Sequence, residues 1–400
     1  MNDHPAIIFA AAMLFIFGLF SKLSDRSIFT APMFFVLMGI VVGPLGLNLF
    51  SLHINNELIH ILTEVTLIII LFIDASTINL KQLIQNKEIP RNLLLIGLPL
   101  TMLLGTVVAY FLFPDTNIYL LILMALILSP TDAALGQAVV KSSVVPLKVR
   151  RWISVESGFN DGIALPPIFA CIALLSLETA STEHHWALFL IQQILFGAVI
   201  GAGVGYIGGY LIEKFSKMNY MNHTFQQLAS ISLAILCFAL AEMIHGNGFI
   251  AAFTGGLFLG LGTKTQLIKE RIQEFGEAEG QMLILFVFLI FSMTMVPIAV
   301  EYWDTKAVIY SLLSLTVIRM IPVALSLMRQ KINFGTILFI GWFGPRGIAS
   351  VLYLLIVAKT IGVQGNEYIL SIIVLTILLS VFLHGLTAVP FSKWYGKQHN

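Results

Sequence analysis

Charge is what this 400-residue chain has least of: 11% of it is Asp, Glu, Lys or Arg, against 58% hydrophobic residues. Soluble domains carry roughly 25% charged residues, so a soluble globular fold is excluded and a polytopic membrane protein is implied. The net charge is +1 and no basic run is long, which excludes a nucleic-acid partner. Cysteine is also scarce. Cys171 and Cys237 both fall inside apolar runs, so they read as small core residues with no disulfide or metal framework. A cleaved signal peptide would want a positive start and a small-residue cleavage site. Only Met-Asn-Asp-His precedes the first apolar segment, which therefore reads as a retained helix.

Long apolar runs are what the chain does have. Stretches of about 17 or more mostly apolar residues predict an all-α protein with about 13 transmembrane helices, at 5–21, 29–50, 57–77, 92–113, 117–140, 151–177, 186–213, 225–244, 247–263, 280–300, 305–328, 334–360 and 366–389. The weakest division is between 225–244 and 247–263, where only His245-Gly246 intervenes. Basic residues then set the orientation. Eighteen of the 22 Lys and Arg residues fall in the odd-numbered loops and the tail, from Lys22 and Arg26 through Lys81, Lys87, Arg91 and Lys141 to Lys393 and Lys397. The even loops hold only Lys306 and Lys359, while Arg319 and Arg346 lie within spans. The positive-inside rule places the N-terminus outside and the C-terminus in the cytoplasm, in the cytoplasmic (inner) membrane of the cell.

Two spans are interrupted. The fifth carries Ser129-Pro130-Thr131-Asp132, and the twelfth carries Gly344-Pro345-Arg346-Gly347. Seven spans separate the breaks, so the two segments run in opposite directions. That arrangement predicts one transmembrane transporter domain over 1–400: a first six-helix repeat over 1–177, a linking helix over 186–213, an inverted second repeat over 225–389 and a short cytoplasmic tail over 390–400. Secondary transporters commonly place discontinuous helices in matching positions of two inverted halves, with the site between them. The exposed half-helix ends carry partial charges that Asp132 in one half and Arg346 in the other are placed to compensate. The plainer reading is that the prolines only kink buried helices.

An ionised carboxylate inside the bilayer is costly and marks an ion path by default. Asp161 lies near mid-membrane in the sixth span, where burial disfavours its charged form, so a proton and a cation can compete for it. The plainer alternative is an acid permanently paired with an arginine. Thr131 and Asp132, with the unwound carbonyls near Pro130, form a set of hard oxygen donors suited to an alkali cation. Asp132 as a simple cap of the half-helix starting there is compatible with that role. Glu156 and Asn160 share one helical face and Ser157 and Asp161 a neighbouring strip, so Ser157 can add an oxygen beside Asp161. Glu156 needs a buried cation, and Arg319 in the eleventh span is the obvious partner. Arg346 neutralises the crossing or acts as a tethered counter-ion. Glu64, Asp74, Glu242 and His245 are weaker candidates, with His245 read first as a helix-end residue.

The motifs Ser129-Pro130-Thr131-Asp132-Ala133, Glu156-Ser157-Gly158-Phe159-Asn160-Asp161-Gly162, Gly248-Phe249-Ile250-Ala251-Ala252-Phe253 and Trp342-Phe343-Gly344-Pro345-Arg346-Gly347 resemble those of the monovalent cation/proton antiporters, most closely the NhaP-type Na⁺/H⁺ branch. With the thirteen-span plan the resemblance covers essentially the whole chain. It implies a homodimer in the lipid bilayer, with a dimerisation layer and a mobile six-helix core. It also implies Asp161 as the ion- and proton-binding carboxylate, with Asp132, Ser157 and the Thr131 backbone as Na⁺ ligands, and Glu156 with Arg319 as a stabilising pair. Asn160, where the electrogenic branch has a second aspartate, implies electroneutral exchange of one H⁺ for one Na⁺ or Li⁺. The expected class is thus a transporter and not an enzyme, with no cofactor. Leu71-Phe72-Ile73-Asp74-Ala75-Ser76 matches the family's pattern only loosely, which leaves K⁺/H⁺ exchange open. A cation channel is the other rival, since carboxylates and carbonyls can line a pore. An intramembrane aspartyl protease fits poorly, because Asn160 and Thr131 precede the two acids where Gly and Tyr are wanted.

Overall fold

A computed structural model of the chain describes residues 4–24, 28–50, 52, 54, 56–78, 88–132, 135, 137–140, 142–178 and 186–399. Arg26, Lys81, Lys87 and Lys141 of the basic loops, and Ala133 of the fifth-span motif, lie outside the described residues. Among the described residues all regular structure is helical: α1 (His4–Ser24), α2 (Ala31–Val42), α3 (Glu57–Thr77), α4 (Glu88–Leu112), α5 (Ile118–Ile127), α6 (Gln137–Val140), α7 (Leu147–Glu178), α8 (Trp186–Lys217), α9 (His223–Met243), α10 (Gly248–Gly262), α11 (Gln266–Ala299), α12 (Thr305–Leu327), α13 (Phe334–Trp342), α14 (Ile348–Thr360) and α15 (Glu367–His399). Eight of these are long and apolar enough to cross a membrane, namely α3, α4, α7, α8, α9, α11, α12 and α15. Five shorter ones, α1, α2, α5, α10 and α14, are also apolar. Helices suit such a chain because a lipid environment leaves backbone groups no partner outside the segment.

Local chemistry sets the ends. Asn117, Asn222, Asn247, Asp304 and Asn333 precede α5, α9, α10, α12 and α13, and each side chain accepts a first-turn backbone N–H. Each such cap satisfies one of the four donors that a helix start leaves over. The narrow gap at His245-Gly246 is a real turn: His245 has φ of 58° and Asn247 starts α10. The apolar run at 29–50 is helical only as far as Val42, where Gly43-Pro44 stops it. The last helix, by contrast, does not end at Pro390. It runs on to His399, and the segment read from sequence as a tail is helical.

The helices gather into two compact units. The first comprises 1–60, 88–157 and 284–400, so it holds α1, α2, α4 to α6, α12 to α15 and parts of α3, α7 and α11. One of its cores joins Val139, Val145, Val149 and Ile153 to Phe339, Ile340, Phe343 and Tyr395. That core explains the extra turns of α15. Tyr395 is buried and stacks on Phe339 with ring centroids 4.2 Å apart, and its hydroxyl shares a 2.7 Å hydrogen bond with Thr336.

The second unit comprises 61–87 and 158–283. Its main seam sets α8 against α10 through Gly197, Gly201, Gly205 and Gly209, spaced four apart. A Cβ at Gly201 would stand 2.8 Å from the Ala251 Cα, and one at Gly205 2.7 Å from the Gly255 Cα. Small residues at this spacing let two backbones approach where lipid offers no hydrophobic drive.

Candidate functional site

The site of the first unit is built from the two interrupted spans. α5 ends at Ile127 and the next described helix of its span is Gln137–Val140, while α13 ends at Trp342 and α14 begins at Ile348. The two unwound segments bind each other. The Asp132 N–H donates to the Pro345 carbonyl at 2.8 Å, and Asp132 Oδ2 accepts the Ile348 N–H at 2.8 Å. Asp132 therefore caps α14, the half-helix of the other interrupted span. A carboxylate there satisfies an orphan donor and faces the positive end of the helix dipole.

Arg346 reciprocates. Its Nη1 donates to the carbonyls of Ser129 at 3.1 Å, Pro130 at 3.4 Å and Gly344 at 3.3 Å, and Nη2 to Ser314 at 3.4 Å. The guanidinium thus covers carbonyls just past the negative end of α5. Ser350 adds a hydroxyl bond to the Ile127 carbonyl at 2.7 Å. Each break is compensated by the charge of the opposite segment. Arg346 is wholly buried and Asp132 is 8% exposed. The unwound segment between α13 and α14 needs glycine for close approach: a Cβ at Gly344 would stand 2.6 Å from Arg319 Nε, and one at Gly347 would stand 2.6 Å from Asp132 Cγ.

α7 contributes the remaining groups. Ser157 Oγ donates to the Thr131 carbonyl at 2.8 Å. Its proton is thereby directed inward, and a hydroxyl so used still presents lone pairs to a further partner. One residue earlier, Glu156 Oε1 accepts from Arg319 Nη2 at 2.5 Å, with side chains 2% and 1% exposed. The first unit accordingly brings together Thr131, Asp132, Glu156, Ser157, Arg319 and Arg346. Asn160 and Asp161 lie one turn further along α7, in the part belonging to the second unit, where they are 0% and 8% exposed.

The weaker candidates separate. Glu64 is half-buried within α3, and Asp74 is exposed near its end. Glu242 accepts the Gly248 N–H at 2.8 Å, a structural bond at the start of α10. His245 sits exposed in the turn before it. Sequence reasoning missed Ser380 and His384 on α15. Ser380 Oγ accepts the Arg346 N–H at 2.6 Å, and His384 is 2% exposed beside it. Two polar residues four apart in an apolar run were the available signal.

The hard oxygen donors of the reciprocally capped crossing in the first unit are of the kind that suits a monovalent cation. Comparison with known proteins agrees with that reading. Residues 9–394 match the model of the sodium/hydrogen exchanger family's transmembrane region. The chain belongs to that family. Sodium/hydrogen exchangers are membrane transporters and not enzymes, which removes the protease reading.

The chain is 24% identical over 394 residues to the K(+)/H(+) antiporter NhaP of Alkalimonas amylolytica, an overlap covering 97% of this chain and 66% of that protein, just under two thirds of its length. It is 27% identical over 380 residues to the Na(+)/H(+) antiporter NhaH of Halobacillus dabanensis, covering 90% and 91% of the two chains. Its fold is that of the sodium proton antiporter MjNhaP1 from Methanocaldococcus jannaschii, with a TM-score of 0.79, 20% identity and coverage of 99% and 100%.

Proposed function

We propose that this exchanger is a secondary antiporter that carries Na⁺, and Li⁺ with it, against H⁺ in a one-to-one, electroneutral exchange. The observation that carries the reading is the crossing, where Asp132 and Arg346 each neutralise the other segment's break while the Ser157 hydroxyl joins the Thr131 carbonyl. It creates non-helical backbone at membrane depth with its dipoles satisfied, the setting in which transporters hold ions. Asp161 follows Ser157 by four residues on α7, on one strip of that helix. In this reading Asp161, Asp132, Ser157 and the Thr131 carbonyl hold the Na⁺, and Asp161 alone exchanges it for a proton. Asn160 adds no second titrating group.

The proposed cycle follows from charge. From the cytoplasm Na⁺ displaces the proton of Asp161, and the loaded core turns outward. There Na⁺ leaves, a proton binds and the core returns. An empty, ionised site moves reluctantly because it would carry a bare carboxylate across lipid, and this enforces exchange instead of leak. The same reading has an N-terminus outside, a cytoplasmic C-terminus, an inner-membrane location, repeats at 1–177 and 225–389 about a linking helix, and a homodimer with an elevator-like core.

Reconstitution in liposomes with a trapped pH dye tests it. Na⁺ or Li⁺ should drive proton movement that is unchanged when the membrane potential is clamped and absent in Asp161→Asn, with the variant still folded. Retained exchange in folded Asp161→Asn removes Asp161 from the mechanism. A K⁺-selective response keeps the mechanism and changes the cargo, a reading favoured by the K(+)/H(+) names of the relatives from Alkalimonas amylolytica and Shewanella oneidensis. Cation flux that needs no counter-gradient makes the protein a channel.

A further inference from the structure

Three segments of the first unit meet around Tyr395. Val145 and Val149 enter the core beneath it from the stretch before and within the first turn of α7, and Ile332 packs against that core from the turn between α12 and α13. The last turns of α15 bring Ala388 and Tyr395. The approach is close, since a Cβ at Gly396 would stand 2.5 Å from the Val144 carbonyl oxygen. Three bases lie in 142–151, two in 329–333 and two in 390–398, and none of these segments contains an Asp or Glu. Lys148, Arg151, Lys331, Lys393 and Lys397 are exposed. Among the described residues none of these five enters an ion pair.

Membrane topology accounts for the bases but not for the missing acids. The positive-inside rule counts Lys and Arg and is nearly indifferent to Asp and Glu. In the second unit the two signs are mixed: over 213–221 and 264–279 five bases stand with five acids, and Lys217 pairs with Glu213 at 2.7 Å. At the Tyr395 end of the first unit the three segments supply no counter-charge, and like charges gathered there repel one another until an anion neutralises them. The end of α15 adds an apolar component. Past Pro390 it turns Ser392, Tyr395 and Gly396 inward and leaves Phe391, Lys393, Trp394 and Lys397 outward. Exposed aromatic rings beside lysines, at the end of a membrane-spanning helix, suit the headgroup level, where ring bodies meet acyl chains and ammonium groups meet phosphates.

We propose that this end of the first unit is a docking surface for anionic phospholipids, whose headgroup phosphates take Lys148, Arg151, Lys331, Lys393 and Lys397 while Phe391 and Trp394 rest against the chains. The partner is the adjoining bilayer leaflet. Because the three basic segments share the Tyr395 core, headgroups bridging them also hold the end of α15 against α13 and the start of α7. The inference rests on the membrane-spanning character of the chain and not on the antiport reading.

Trp394 reports its own lipid neighbours. The full-length protein is reconstituted in mixed phosphatidylglycerol and phosphatidylcholine bilayers, with brominated chains on one lipid or the other. The quenching that Trp394→Phe removes belongs to Trp394. Phosphatidylglycerol should quench it preferentially, and added salt should weaken the preference. Lys393→Gln with Lys397→Gln should lower the preference about fivefold, the equivalent of roughly 1 kcal/mol. Lys214→Gln with Lys264→Gln removes the same charge from exposed positions of the second unit and should leave it unchanged. Equal quenching by the two lipids in wild type overturns the proposal. An equal fall in both double variants also overturns it, by making the preference a response to net charge. Loss of the preference in excess inorganic phosphate at matched ionic strength would make the surface a site for soluble phosphate and defeat the lipid assignment. Each outcome is read without any exchange activity, so the antiport reading stands or falls separately.

Discussion

Removing one partner of the Glu156–Arg319 pair should do more harm than removing both. The side chains are 2% and 1% exposed and meet at 2.5 Å. With an effective dielectric near 20, Coulomb attraction at that distance is roughly 7 kcal/mol. Desolvation takes back several kcal/mol per ion, so the net worth of an intact buried pair is small. A single truncation is different, because it leaves a desolvated charge without its counter-ion at about 3–5 kcal/mol. Arg319→Met strands Glu156, and Glu156→Leu strands Arg319, whose Nε and Nη1 have no other hydrogen-bond partner among the described residues. The double variant strands nothing and should lie within about 2 kcal/mol of wild type. The coupling energy is then at least about 4 kcal/mol, above the roughly 0.5–3 kcal/mol that neighbouring residues usually show. Unfolding of the four proteins in mixed micelles, titrated with sodium dodecyl sulfate, measures it. A coupling below about 1 kcal/mol would refute the reasoning. The double variant should also retain cation–proton exchange, since the pair is assigned to structure and not to the cargo.

Substitutions at two other positions separate charge from capping and tail from site. Asp132→Asn keeps an oxygen for the Ile348 N–H and should melt close to wild type, whereas Asp132→Ala loses the cap at about 1–2 kcal/mol; both should lose Na⁺-driven proton flux in the dye assay, because the charge is gone in each. Tyr395→Phe deletes the 2.7 Å bond to Thr336 but keeps the stack on Phe339, so it should cost about 1 kcal/mol; hydrogen exchange should quicken at the end of α15, and equal protection in the two proteins would show that the hydroxyl bond holds nothing.

Much of the helical plan was legible because lipid restricts the options. Long apolar runs bounded by Asn or Asp could hardly be anything but helices, and α5, α9, α10, α12 and α13 begin at such residues. The Glu156–Arg319 pair was legible for a related reason: a buried acid demands a cation, and few cations lie inside spans. The end of α15 was not, since Pro390 is a valid local stop signal and only the tertiary partners Phe339 and Thr336 overrule it. Ser380 escaped because its significance depends on Arg346, which is distant in sequence.

The pairing of charges across the crossing was the least legible feature, and it has the largest mechanical consequence. Sequence identified Asp132 and Arg346 as the charges that answer two broken helices but not which break each answers. In the fold Asp132 caps α14, and Arg346 covers the carbonyls beyond α5. Had each charge served its own segment, either break could shift alone with its dipoles satisfied. Because each serves the other, sliding one segment past its partner strips both at once, leaving a carboxylate, a guanidinium and several backbone groups desolvated and unpaired. The two breaks are therefore constrained to move as one body, which is what a transporter needs if its ion donors are to keep their geometry while access to them alternates.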